Sequence, residues 1–119
     1  KGGASPPFNH EKEIKMDILT IHELAVTAAK QAEQEFMDKH GEPLYCGFAW
    51  VKFPVDGRTK LAKIITQIGA QPDWNFGYVL WNVTGNPTQS MDIKEAGARA
   101  YAKVMNENGV KAYAQSRAD

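Results

Sequence analysis

The residues of this chain with the most direct chemistry are three histidines and one cysteine. His10 lies in an N-terminal stretch that looks unlike the rest. His22 falls on the first turn of the first expected helix. His40 falls at its far end, where a cation favours the helix dipole. At 1.5 Å per residue His22 and His40 stand about 27 Å apart along that helix. They cannot share a metal within one subunit, and both read as surface or capping residues. Cys46 has no partner for an intramolecular disulfide, and its apolar surroundings read as a buried thiol in a reducing compartment. A reactive thiolate needs a base or a positive field beside it, and the sequence places neither there. Ser90 and Asp92 sit where a helix begins, which is a capping role. The glycines never take the spacing of a phosphate-binding loop or a dinucleotide fingerprint. The reading is therefore no catalytic residue, no metal and no cofactor, with binding favoured over catalysis.

The most distinctive chemistry is aromatic. Tyr45, Phe48, Trp50 and Phe53 come from one apolar run, and Trp74, Phe76, Tyr78 and Trp81 surround a second. Alternation along a strand puts Phe48 and Trp50 on one face, with Tyr45, Val51 and Phe53 on the other. Tryptophan is seldom fully buried. Lys52, Arg58, Lys60 and Lys63 are close by in sequence. Aromatics beside cations suit base stacking on single-stranded nucleic acid, and they equally suit a protein hot spot. Plain core packing with snorkelling lysines is the competing reading. A second candidate is the polar loop 82–90 with the tail 115–119. Asn82, Asn86, Gln89, Asp92, Lys94, Ser116 and Arg117 would line a cleft if the strand ends converge. The binding set read from the sequence is Trp50, Lys52, Arg58, Lys60, Trp81, Asn82, Gln89, Lys94 and Arg117.

The elements that must position these groups follow from periodicity. A helix is expected over residues 20–39, opened by a Thr20–Glu23 capping box. Its inward face is Ile21, Leu24, Ala25, Ala28, Ala32 and Phe36, and its wet face includes Lys30 and Glu33. Gly41 and Pro43 end it. Residues 44–53 read as a central strand. Residues 59–68 read as a second helix, with Leu61, Ile64, Ile65 and Ile68 inward and Gly69 as its cap. Residues 71–73 read as loop and 76–83 as a second strand. A third helix is expected over 92–108, capped by Asp92 and Glu95. Its inner face is Ile93, Ala96, Gly97, Ala100, Tyr101 and Val104. A mid-helix glycine costs about 1 kcal/mol against alanine, so Gly97 predicts close approach of another backbone in a helix–sheet contact. Residues 110–114 read as a third strand. The order is α-β-α-β-α-β, which gives one α/β domain (or its α+β variant) with a sheet of about three strands. Residues 1–15 read as a flexible leader or an added extension, and 16–119 as the domain.

Composition narrows the partners. Fourteen basic residues balance fourteen acidic ones, whereas nucleic-acid binders usually carry a basic excess. Nothing approaches the ~20 apolar residues of a membrane span, and no signal-peptide core precedes the domain. A short edge strand and aromatic surface also make a homo-oligomer an expectation.

Four stretches carry a resemblance: Cys46–Val51, Leu80–Asn82, Gln89–Ala98, and Ala112–Arg117 with Asp119. Their order and spacing resemble small uncharacterised proteins of tailed bacteriophages, over roughly residues 20–119. The resemblance implies a setting, the cytoplasm of an infected bacterium, and no reaction. The reading is a phage-type accessory protein that acts by binding a host or phage protein. A nucleic-acid binder, and a small-ligand protein or enzyme with a cleft at loop 82–92 and the tail, are the alternatives.

Overall fold

A computed structural model describes residues 16–119. The leader 1–15, with His10, lies outside the described residues. The first helix, α1, spans Ile18–His40. It starts two residues before the expected capping box, because the Asp17 side chain accepts the Thr20 N–H at 3.0 Å. Its buried stripe is Ile18, Ile21, Ala25, Ala29 and Glu33. The stripe is rotated from the expected face, and Leu24 is exposed. The cause is the neighbour: α1 packs chiefly against the third helix, and small residues at 25 and 29 permit a close helix–helix approach.

Strand β1 is Gly47–Phe53. Helix α2 is Lys60–Thr66, capped by the Thr59 hydroxyl, which accepts the Ala62 N–H at 3.2 Å. It buries Ala62 and Ile65, and Gly69 follows at a φ of 97° that favours glycine. Strand β2 is the two-residue Gln71–Pro72, where the sequence reads as loop. Its brevity and proline suit an edge. Strand β3 is Tyr78–Trp81, helix α3 is Met91–Glu107, and strand β4 is Tyr113–Ala118. The N-cap of α3 is Ser90 rather than Asp92; its hydroxyl accepts the Ile93 N–H at 3.4 Å. Asn106 fixes the turn into β4. Its side-chain amide donates to the Ala112 carbonyl at 2.7 Å, and its oxygen accepts the Ala112 N–H at 3.2 Å.

The sheet has four strands in the order β2-β3-β1-β4, one more than expected, and every neighbouring pair is antiparallel. The architecture is therefore α+β. From β1 onward the chain runs β-α-β-β-α-β, a split β-α-β arrangement in which β3 lies between β1 and β2. Helix α3 lies against β1 and β4, with α1 packed on it. The core between them holds Val51, Phe53, Ile65, Tyr101, Met105 and Val110. The helices cover one sheet face only, as antiparallel sheets allow.

Candidate functional site: the outer face of the sheet

Alternation assigns the uncovered face. On β1 the buried series is Gly47, Ala49, Val51 and Phe53, so Phe48, Trp50 and Lys52 point outward. Register then places Val79 and Trp81 of β3, and Tyr113, Gln115 and Arg117 of β4, beside them. Trp50 stands directly opposite Trp81 on one side and Gln115 on the other. The two indole rings lie 4.6 Å apart between centroids, tilted by 41°, within the range of favourable aromatic pairs. The Trp50 indole N–H donates to Gln115 Oε1 at 2.8 Å, so its one donor is satisfied within the protein. Trp81 remains 52% exposed and Phe48 41% exposed. The expected sharing of a face by Phe48 and Trp50 is what the structure shows.

Two cations flank Phe48. Arg117, its cross-strand partner, holds its guanidinium 5.9 Å from the ring centroid. The Lys94 ammonium is 5.6 Å from the same centroid and donates to the Gly47 carbonyl at 3.2 Å. Both distances suit a cation over an aromatic face. Among the described residues neither cation is paired with a carboxylate. No outward position on any of the four strands carries an acidic residue.

The other members of the expected set scatter. Lys52 is 6% exposed and forms an ion pair with Asp73. That pair, through its hydrogen bond, holds the Asp73 carboxyl below the ordinary carboxylate range. Lys52 is thus a buried strut under the β2–β3 loop, not a free surface charge. Arg58 pairs with Asp56 in the β1–α2 turn at 2.8 Å, and its hydrogen bonds bring Asp56 down to about 2. Lys60 is exposed at the start of α2, outside the sheet. Asn82 ends β3 at a φ of 44° and donates from its side chain to the Asn86 carbonyl at 3.3 Å. Gln89 contributes its carbonyl, which accepts the Gly47 N–H at 3.3 Å. The structure therefore joins Trp50, Trp81, Lys94 and Arg117 through Phe48 and Gln115, keeps Lys52 on the same face with its charge held by Asp73, and leaves Arg58 and Lys60 outside the sheet.

Loop 82–90 does border a cleft, but with α1. The cleft holds about 460 Å³ and is lined by Lys30, Gln34, Met37, Thr84, Asn86 and the side chain of Glu33. Asn82, Asp92 and Arg117 are not among its walls. Glu33, read from the sequence as a wet-face residue, is 4% exposed. Its carboxylate accepts from the Thr84 hydroxyl at 2.9 Å and the Asn86 amide at 3.0 Å. His22 also departs from its expected surface role: its Nδ1 is 2.5 Å from the Tyr101 hydroxyl. Cys46 is exposed, because β1 begins only at Gly47 and leaves the cysteine at the sheet margin. Among the described residues no three His, Cys, Asp or Glu side chains gather in a way that could hold a metal. No helix there is long and apolar enough to cross a membrane. Compared with protein-family models, curated proteins and solved structures, the chain matches none.

Proposed function

We propose that the outer sheet face binds single-stranded nucleic acid by stacking bases on Trp81 and Phe48. The observation that carries this reading is the Trp50–Trp81 pair at opposed positions of the two central strands, on a face whose strand positions hold no acidic residue and where the one loop carboxylate, Asp73, is paired with Lys52. Trp50 backs the row and Trp81 offers its ring to solvent. Residues two apart on a strand are about 6.7 Å apart, so Phe48 lies one nucleotide step from the tryptophan row. Arg117 and Lys94 stand at that end to meet phosphate. Four-stranded sheets with aromatics on their open face are a known way to splay and stack bases, and each stacked base contributes about 1–3 kcal/mol.

Titration of short single-stranded DNA and RNA, followed by tryptophan fluorescence, tests the reading. Trp81→Ala should lose about 5- to 150-fold in affinity, the ratio equivalent to that stacking energy. Trp74→Ala, at a site 96% exposed but outside the row, should bind as the parent does. Equal loss in both variants, or no binding by the parent, refutes the reading. A protein partner in the infected bacterial cytoplasm is the second reading. It is favoured by Leu44, Tyr45, Trp74 and Phe76, which are exposed apolar groups lying off the strand row. Under it, capture of a partner would be lost in a Leu44→Ser, Trp74→Ser variant and kept in Trp81→Ala.

A further inference from the structure

The edge strand β4 carries a sequence that is complementary to itself. Its backbone polarity can be assigned first. The Asp119 N–H donates to the Cys46 carbonyl at 3.1 Å, in the same register as the rest of the β1–β4 ladder. Antiparallel ladders alternate bonded and non-bonded pairs. Tyr113, Gln115 and Arg117 therefore direct their N–H and C=O groups into β1. The Asn82 N–H donating to the Ala49 carbonyl at 3.5 Å gives the same phase from the other side of β1. It follows that the backbone groups of Ala114, Ser116 and Ala118 face out over the open edge. Among the described residues no strand lies beyond β4.

We propose that β4 pairs antiparallel with β4 of a second copy, about a two-fold axis through Gln115. Parity requires the outward even-numbered residues to face each other, which leaves few registers. Centred on Ala114, Arg117 would oppose the partner copy's lysine at position 111, a like-charge clash. Centred on Ser116, Tyr113 would oppose an aspartate and Arg117 would face Gln115 rather than an aromatic ring. Centred on Gln115, Lys111 opposes Asp119, Tyr113 opposes Arg117 and Ala114 opposes Ser116, each pair occurring twice, while Ala112 adds no bond to the second copy because the Asn106 side chain already holds its N–H and C=O. Opposite charges and cation–aromatic pairs across strands are favourable, and a two-fold interface is self-complementary by construction. Because Gln115 stands in line with Trp50 and Trp81, the dimer places both tryptophan rows on one line across an eight-stranded sheet. At about 4.8 Å per strand, Trp81 of one copy lies about 24 Å from Trp81 of the other. The inference rests on the edge strand alone and needs no ligand.

The test is sedimentation of the full chain over a concentration series, with cross-linking to fix the register. In a Cys46→Ser background, Gln115→Cys brings two thiols together at a non-bonded pair, where Cα atoms are about 4.5 Å apart and a disulfide fits. Tyr113→Cys is on the same face of the same strand, but its two copies would be about 14 Å apart at ~3.4 Å per residue. Rapid covalent dimer from Gln115→Cys and none from Tyr113→Cys is the expected result. Lys111→Glu should weaken the dimer about tenfold, and adding Asp119→Lys should restore it. A monomer at every concentration, equal cross-linking of the two cysteine variants, or failure of the charge exchange to restore association overturns the proposal.

Discussion

The carboxylate of Glu33 occupies the space that a side chain on Gly97 would fill. A Cβ built on Gly97 would overlap Glu33 Oε2 and come within 2.9 Å of its Cδ and Cγ. The glycine in the middle of α3 thus admits a buried acid from α1, which in turn ties down Thr84 and Asn86 in the loop that leads into α3.

Gly97→Ala should therefore destabilise the domain by about 1–3 kcal/mol, the usual range for overpacking, despite the better helix propensity of alanine. Glu33→Ala should cost about 1–3 kcal/mol, since it strands two donors. In the Glu33→Ala background the sign reverses. Gly97→Ala then meets no carboxylate and should stabilise by up to about 1 kcal/mol. Chemical denaturation of the four proteins measures the coupling. A Gly97→Ala effect that is the same in both backgrounds would show that Glu33 is not what the glycine accommodates.

This pair also marks how far the sequence could be read. The mid-helix glycine announces a close approach, and that approach exists. It comes from a side chain on another helix and not from sheet backbone, because nothing local to Gly97 says which element will be its neighbour. Glu33 looks like a wet-face residue for the same reason: its donors lie about fifty positions away in the chain. Periodicity found the three helices, β1, β3 and the shared face of Phe48 and Trp50, since these depend on spacing within one element. It placed the last strand at 110–114 and read 115–119 as a tail, whereas β4 is Tyr113–Ala118, because pairing with β1 makes a strand of polar residues that carry no apolar run. It missed β2, whose two residues have no period to read. Sequence proximity grouped Lys52 with Arg58 and Lys60, although burial of Lys52 against Asp73 is set by the loop that folds over it.

The hydrogen bond between His22 and Tyr101 predicts a pH dependence of stability. Burial lowers the His22 pKa from its ordinary 6.5, opposed in part by the nearby Glu23, and burial raises the Tyr101 phenol above its usual 10.0. Neutral imidazole accepting the phenol proton is the favoured pair. With the folded pKa below the unfolded one, the unfolded chain binds more protons between the two values. The contribution is complete above about pH 6.5 and declines as pH falls through and below that value. His22→Gln should flatten this region of a stability–pH profile. Asp56 and Asp73, both held low by cations, act in a separate window: their contributions are present above 3.8 and are lost as pH falls below it. A decline between pH 7 and 5 that persists unchanged in His22→Gln would assign the effect elsewhere.

Cys46 gives a simple check on the sheet margin. The thiol is exposed, and its only hydrogen-bond contact among the described residues is with the Leu44 carbonyl at 3.4 Å. One equivalent of a thiol reagent should react with the native protein at close to the rate seen in denaturant. Strong protection, ended only by unfolding, would mean that β1 extends further and buries the residue.

Lys52 and Arg117 share a sheet face and should behave oppositely. The charge of Lys52 is already taken by Asp73 beneath the β2–β3 loop, so it has little left for a phosphate. Arg117 has no carboxylate partner among the described residues. Binding to single strands weakens with salt by a slope of about 0.7 per phosphate neutralised. Arg117→Ala should therefore reduce that slope by about 0.7 and leave the melting temperature nearly unchanged. Lys52→Met should lower the melting temperature, because Asp73 loses its partner, and leave the slope as it was. Measuring both variants by the same salt titration and the same thermal scan separates the roles. A slope change in Lys52→Met matching that in Arg117→Ala would mean that Lys52 releases Asp73 to engage the ligand, and the loop over it would then belong to the binding face.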